Sequence, residues 1–170
     1  GVCFQTAGGF LYRLDGMAIP SNRWTHIAAV WDHSANCFSL YVNGVFDQQI
    51  RIYEEGLSSR LFGSALPVTI AESPDGSFQD RLSIDEVRIW GVARTPAQVE
   101  QYRQKLVPQA ATGLRAYYRF DDGGITAEDF TRKAQNGVLR GEDNAYTFGD
   151  FGYALRTNDF RFMTNDAAQA

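Results

Sequence analysis

The chain has 170 residues, of which 44% are apolar and 14% aromatic, so it can fill the core of one ordinary domain and is not disordered. Its 16 basic and 20 acidic residues give a net charge of −4 without a basic stripe, which gives nucleic-acid binding no electrostatic support. No apolar run is long enough for a transmembrane helix. The first residues, Gly1 to Phe4, lack the basic and apolar regions of a signal peptide and are typical of a processed or excised piece.

Alternation of apolar and polar residues predicts strands along most of the chain. The segment 24–31 is apolar on both faces, as expected of a central strand covered on two sides. A strand over 37–42 is followed by Asn43-Gly44, which predicts a tight hairpin and a return strand over 45–52. Further strong strands are predicted over 82–90 and 114–120, and the second of these places Tyr117 on its polar face. Weaker candidates lie at 2–6, 10–14, 66–71, 137–140, 153–156 and 159–163.

One helix is predicted at about 96–106. Thr95 is suited to the N-cap, Pro96 to the first helical position and Gln98 to the third, which together form a capping box, and Pro108 ends the segment. Many short strands with a single short helix predict an all-β fold, namely a two-sheet antiparallel jelly-roll sandwich.

The two cysteines, Cys3 and Cys37, are too few for a fold built on disulfides. They allow either one Cys3–Cys37 bridge or two buried thiols.

Three blocks of sequence carry a resemblance to a known family. They are Trp24 to Asp32, Leu40 to Gly44, and Ile84 to Trp90 followed by the Thr95-Pro96 helix. Their order and spacing resemble those of the LamG-like, concanavalin A-like jelly-roll family, which includes laminin G domains and pentraxins. Residues 1–107 resemble the second half of such a module.

After a linker over 108–112, residues 113–170 resemble the first half of the same kind of module. Three arrangements explain this order: a circular permutant forming one sandwich, an out-of-register slice of a tandem array, or an intact domain with a C-terminal extension. We expect 113–170 to pack with 1–107 as one sandwich, because half a sandwich would leave an apolar sheet face bare. The alternative is that 113–170 belongs to the next tandem module.

Catalytic residues are sparse. The glycosidases that share this fold use closely spaced carboxylates on one strand, whereas Asp85 and Glu86 are adjacent and would point to opposite faces. His26 and His33 are the only histidines, and neither a nucleophile elbow nor a zinc-ligand set accompanies them. We predict that the protein is not an enzyme.

The resemblance implies a calcium ion held by oxygen ligands. Asp129 matches the family's loop aspartate, and Asp121 lies shortly before it. Arg132 and Lys133 stand where the family has a Gly/Asn-rich stretch, which makes the convergence of backbone carbonyls on an ion less favourable.

Asp85 is a third candidate calcium ligand. On the predicted strand it shares a face with Val87 and Ile89, and a carboxylate on an apolar face must be paired, hydrogen-bonded or metal-bound. An arginine or backbone partner and a calcium ion are the two alternatives.

Sugar binding would need an exposed aromatic ring beside polar groups. Trp24 and Trp90 lie in blocks that we expect to be buried, so Trp31 and Tyr53 are the candidate ligand-binding aromatics.

The sequence therefore predicts a non-catalytic extracellular or cell-surface module for recognition or adhesion, which binds a glycan or a protein, with Ca²⁺ as a candidate cofactor. One alternative is a structural repeat or a polymerising subunit of a large surface protein or filament, joined to copies or tandem neighbours by strand exchange. A glycosidase-associated domain is a minority alternative.

Overall fold

The computed structural model describes residues 2–5, 11–52, 82–122, 126–133, 135–138, 145–149 and 152–157. The chain divides into two compact units, each built from two separate stretches of sequence. The first unit comprises Gly1–Ser64 with Val92–Val107, and the second comprises Ala65–Gly91 with Pro108–Ala170.

The first unit contains five strands and the one helix of the described residues. The elements are β1 (Val2–Gln5), β2 (Leu11–Leu14), β3 (Ile27–Asp32), β4 (Cys37–Val42), β5 (Val45–Arg51) and α1 (Pro96–Tyr102). β1 pairs with β2, and β4 lies between β3 and β5, in each case antiparallel.

The β4–β5 hairpin turns at the predicted Asn43-Gly44 pair. Both residues have positive φ, 51° and 82°, as a type I′ turn requires. The Asn43 side chain also accepts a hydrogen bond from the backbone N–H of His26 at 3.0 Å, which joins the turn to the residue before β3. The hairpin prediction is confirmed.

The helix α1 begins as the sequence predicts and ends earlier. The Gln98 backbone N–H donates to the Thr95 hydroxyl at 3.2 Å, and the Thr95 N–H donates to the Gln98 side chain at 3.1 Å, so the capping box is complete. The helix ends at Tyr102, four residues before the predicted end, and Leu106 beyond it is exposed.

One apolar cluster of the first unit forms on a single face of the sheet made by β3, β4 and β5. Leu14, Phe38 and Leu40 are buried together, and Trp31 and Ile50 pack against them from β3 and β5. The period-2 alternation of β4 therefore directs Phe38 and Leu40 into the same core.

The structure decides between the two alternatives for Cys37 and corrects the expectation for Trp24. Cys37 is a buried free thiol, and its Sγ donates to the Ala35 carbonyl at 3.3 Å, so it forms no bridge with Cys3. Trp24, expected in the core, lies before the first residue of β3 and is 41% exposed.

The second unit contains seven further strands, all paired antiparallel where pairing is described. They are β6 (Leu82–Ile84), β7 (Val87–Trp90), β8 (Leu114–Tyr118), β9 (Thr126–Ala127), β10 (Gly137–Val138), β11 (Ala145–Gly149) and β12 (Gly152–Thr157). β7 pairs with β8, β9 with β10, and β12 lies between β11 and β6. Strands from the two sides of the 108–112 linker are thus hydrogen-bonded to each other, β7 to β8 and β6 to β12. That 1–107 and 113–170 form one sandwich stays a prediction.

The strand predicted over 82–90 is interrupted, which corrects the expectation for Asp85. Glu86 has φ of +56°, a left-handed conformation that a strand cannot continue through, so β6 ends at Ile84 and β7 begins at Val87. Asp85 therefore does not share a regular strand face with Val87 and Ile89.

β8 is covered on both faces. Ala116, Tyr118, Phe120 and Ala127 form one buried cluster, as the alternation predicts. Tyr117, which the alternation placed on the polar face, is also fully buried at 0% exposure. Its ring contacts Phe130 edge-on, with the centroids 5.5 Å apart. The polar face of β8 is thus an aromatic and ionic layer within the second unit.

The predicted strands at 66–71 and 159–163 lie outside the described residues, whereas β9 and β11 had no sequence prediction. In the described part of the chain, no helix has the length and apolar character needed to cross a membrane.

Candidate functional site

An open cavity of about 380 Å³ lies in the second unit between two turns. Its described lining residues come from the turn before β8 and from the turn after Asp129. They are Gln109, Ala110, Ala111, Gly113, Leu114, Thr131, Arg132 and Lys133.

Local hydrogen bonds shape the 109–114 turn, which forms the first wall of the cavity. The Ala111 N–H donates to the Pro108 carbonyl at 2.9 Å, and the Leu114 N–H donates to the Ala111 carbonyl at 3.0 Å. Gly113 adopts φ of +84°, a conformation that costs glycine nothing, and so the chain turns directly into β8.

The buried Asp129 side chain holds the 130–133 turn, which forms the second wall of the cavity. Asp129 is 4% exposed, and its Oδ1 accepts from the backbone N–H groups of Tyr117 (3.1 Å) and Thr131 (3.0 Å). The Thr131 hydroxyl lies 2.8 Å and 2.7 Å from its two oxygens, and the Arg132 N–H donates to its backbone carbonyl at 2.9 Å. Asp129 is therefore a structural carboxylate whose oxygens already accept hydrogen bonds from the protein.

Side chains also link the two walls. The Lys133 ammonium donates to the Leu114 carbonyl, and the Gln109 amide donates to the Phe130 carbonyl at 2.6 Å. These contacts hold the lining in place across the sequence separation of the two turns.

A second group of polar residues surrounds Glu86, away from any cavity described. The Glu86 carboxylate accepts from the Arg88 guanidinium and the Tyr117 hydroxyl, and both side chains of the ion pair are about one-tenth exposed. Burial and this hydrogen bond raise the pKa of Tyr117 to about 12. Arg119 adds a 3.7 Å contact to Glu86 and a 2.8 Å ion pair with Asp121. The charged groups of this network contact one another, and a buried network of this kind orders the core.

Asp85 borders this network and is poorly paired. Its Oδ1 accepts from the Glu86 N–H at 2.8 Å, while Oδ2 is buried with no hydrogen-bond partner among the described residues. Burial, reinforced by the charges of Glu86 and Asp121, raises the pKa of Asp85 to about 7.

Comparison with known proteins identifies the family. The profile of the concanavalin A-like lectin/glucanases superfamily matches residues 4–100. The chain belongs to this superfamily. No curated protein matches the chain in sequence.

The superfamily fold is also found in a solved structure, a "putative carbohydrate binding protein" from Bacteroides ovatus. The two proteins are 25% identical, with a TM-score of 0.55 over 96% of this chain, and the chain spans 42% of the length of that protein. The predicted resemblance and the predicted jelly-roll fold class are confirmed.

The structure separates the three candidate metal ligands of this superfamily member. Asp129 is enclosed by its own loop, Asp121 is paired with Arg119, and Asp85 and Asp121 are close enough for their charges to interact. Among the described residues, no three His, Cys, Asp or Glu side chains are grouped so that they could hold a metal. These residues do not fit a calcium site, and calcium binding stays a prediction.

Trp31 is not among the described residues that line the cavity. Trp31 is half-buried against the Leu14 cluster, with its ring 6.5 Å from that of His33, and Tyr53 lies outside the described residues. Their role in ligand binding stays a prediction.

Sequence reasoning missed the cavity itself. Arg132 and Lys133 were noticed only as cations that disfavour calcium, because nothing in the sequence shows that the turn at 130–133 faces the turn at 109–114. The one available signal was the presence of two adjacent cations directly after a loop aspartate.

Proposed function

We propose that this chain is a non-catalytic carbohydrate-binding module whose binding site is the cavity between the 109–114 and 130–133 turns. The observation that carries the proposal is the similarity over 96% of the chain to a protein named for carbohydrate binding. Membership of a superfamily that contains lectins supports the same class of ligand.

The lining of the cavity suits a sugar. Ala110 and Ala111 offer apolar surface for the C–H face of a sugar ring, and Gln109 and Arg132 offer polar groups for its hydroxyls. A volume of about 380 Å³ is near the lower end for small-ligand sites, which favours a terminal sugar residue over a long buried chain.

The chemistry of the described lining supports binding without hydrolysis. Glycoside hydrolysis needs two carboxyl groups on either side of the scissile bond. Among the described residues that line the cavity, none carries a carboxyl group. Asp85, whose pKa is raised, lies instead beside the Glu86 network. Our proposal is therefore recognition without hydrolysis, outside the cell or on its surface, where a glycan-binding module encounters polysaccharides.

A glycan microarray tests this function, and a cavity-blocking variant tests the site. Ala110 is exposed and lines the cavity, so Ala110→Phe should obstruct it without disturbing a core. Ala97 is exposed on α1, which makes Ala97→Phe the matched control. We expect the unaltered chain and Ala97→Phe to bind the same glycans and Ala110→Phe to lose them.

The two parts of the proposal fail separately. If the unaltered chain retains no glycan of a broad library, the function is wrong. If Ala110→Phe binds as well as Ala97→Phe, the function stands and the site is wrong.

A further inference from the structure

The cavity carries a local charge opposite to that of the whole protein. Arg132 and Lys133 both line it, and the described lining contains no acidic residue, although the chain as a whole has a net charge of −4. The buried Asp129 carboxylate behind Thr131 offsets one of the two positive charges and leaves the cavity with a surplus of one. A concave surface with cations of one sign focuses a positive potential on whatever enters it.

Arg132 is available for a ligand. It is exposed and forms no ion pair within the described part of the chain, unlike Arg88, Arg103 and Arg119. Its planar guanidinium can make two parallel hydrogen bonds to a carboxylate or sulfate.

The backbone at Arg132 is held in an unfavourable conformation. Its φ is +59°, in the left-handed region where glycine and asparagine are favoured and arginine is not. The hydrogen bond from the Arg132 N–H to the Asp129 carbonyl, next to the buried Asp129 side chain, keeps the turn in this form. A residue in this region persists only where its surroundings hold it, and here the turn places a guanidinium at the cavity.

Lys133 supplies a second, fixed cation. Its ammonium donates to the Leu114 carbonyl across the cavity, which uses one of its three hydrogens and leaves two for a ligand. The cavity lining therefore contains two adjacent cationic groups, the planar guanidinium of Arg132 and the ammonium of Lys133.

We propose that the site is specific for acidic glycans, with Arg132 binding the carboxylate or sulfate of a sugar residue and Lys133 adding a second contact. This inference rests on the proposed function and deepens it. A carboxylate and a sulfate share the chemistry that Arg132 recognises, so the test contains both.

Titration calorimetry on the whole chain tests the inference with matched sugars. The ligands are an oligogalacturonide, its carboxyl-reduced neutral counterpart, and a sulfated galactan oligosaccharide of similar length. We expect at least one acidic ligand to bind about tenfold more tightly than the neutral counterpart, as a charge-assisted hydrogen bond at an open site would give.

Arg132→Asn removes the charge and suits the left-handed backbone, so it should fold. It should weaken binding of the acidic ligand about tenfold more than binding of the neutral counterpart, while Arg132→Lys should retain part of the preference. On the unaltered chain, the preference should also disappear at about 0.5 M salt, where charges are strongly screened.

Equal affinity for neutral and acidic ligands would overturn the inference and leave the proposed function intact. A parallel loss of both ligands in Arg132→Asn would also overturn it. If the unaltered chain binds none of the three ligands, the inference is overturned. If it also retains no glycan of a broad library, the proposed function is overturned as well.

Discussion

The buried carboxylate of Asp129 gives the clearest test of how the cavity is built. Asp129→Ala leaves three hydrogen-bond donors without their acceptor, namely the N–H groups of Tyr117 and Thr131 and the Thr131 hydroxyl. A buried donor without a partner costs about 1–3 kcal/mol. Because water can reach part of the space from the open cavity, we expect the free energy of unfolding to fall by about 3–5 kcal/mol rather than by the full sum.

Urea denaturation followed by fluorescence measures this loss, with Asp129→Asn as the control. Asparagine keeps an acceptor for the two N–H groups, and the Thr131 hydroxyl can accept from the new amide, so we expect a loss of about 1–2 kcal/mol. For each variant, the loss of unfolding free energy should be the same in excess chelator as in excess Ca²⁺.

The measurements with chelator and with Ca²⁺ distinguish a structural role of Asp129 from a calcium-binding role. Binding linkage would stabilise a calcium-binding protein by about 2.7 kcal/mol at a hundredfold excess over the dissociation constant. If Asp129→Ala is as stable as the unaltered chain in chelator and less stable only with Ca²⁺, the structural role is refuted and the calcium prediction is supported.

Three further substitutions test the electrostatics and the local geometry. The pKa of Asp85 is raised to about 7, so the folded state binds more protons than the unfolded chain between about pH 4 and pH 7, and stability falls as the pH rises through that window. Asp85→Asn should therefore raise the free energy of unfolding by about 1–2 kcal/mol at pH 8, allowing for the solvent screening of a half-buried group, and by almost nothing near pH 4; an equal effect at both pH values would contradict the assignment. Thr95→Ala removes the N-cap of α1 and should lower the free energy of unfolding, measured by thermal unfolding, by about 1 kcal/mol, whereas Thr95→Ser should keep most of this stability. Equal stability of the two variants would argue against the cap. Gly44→Ala forces a side chain into a position with φ of +82° against the Glu100 carboxylate and should cost about 1–2 kcal/mol by the same assay, so an unchanged midpoint would exclude the left-handed turn.

Features fixed by a few neighbouring residues were predictable from the sequence. Asn43-Gly44 specifies a turn with positive φ at both positions, and Thr95, Pro96 and Gln98 specify the start of a helix. The period-2 pattern of β4 likewise gives its bounds and its buried face.

Features that depend on distant partners were not predictable. The break at Glu86 accompanies its contacts with the Tyr117 hydroxyl, 31 residues away in sequence. The same contact explains why Tyr117 is buried on a face that alternation marks as polar. The cavity depends on two turns about 20 residues apart, and no local pattern indicates that they face each other.

A crystal structure of the chain with the tightest-binding acidic oligosaccharide tests the central claim most directly. The account predicts a sugar residue in the cavity between the two turns, with its acidic group on the Arg132 guanidinium and its ring against Ala110. A sugar bound elsewhere, for example stacked on the exposed ring of Trp24 with the cavity empty, would contradict it.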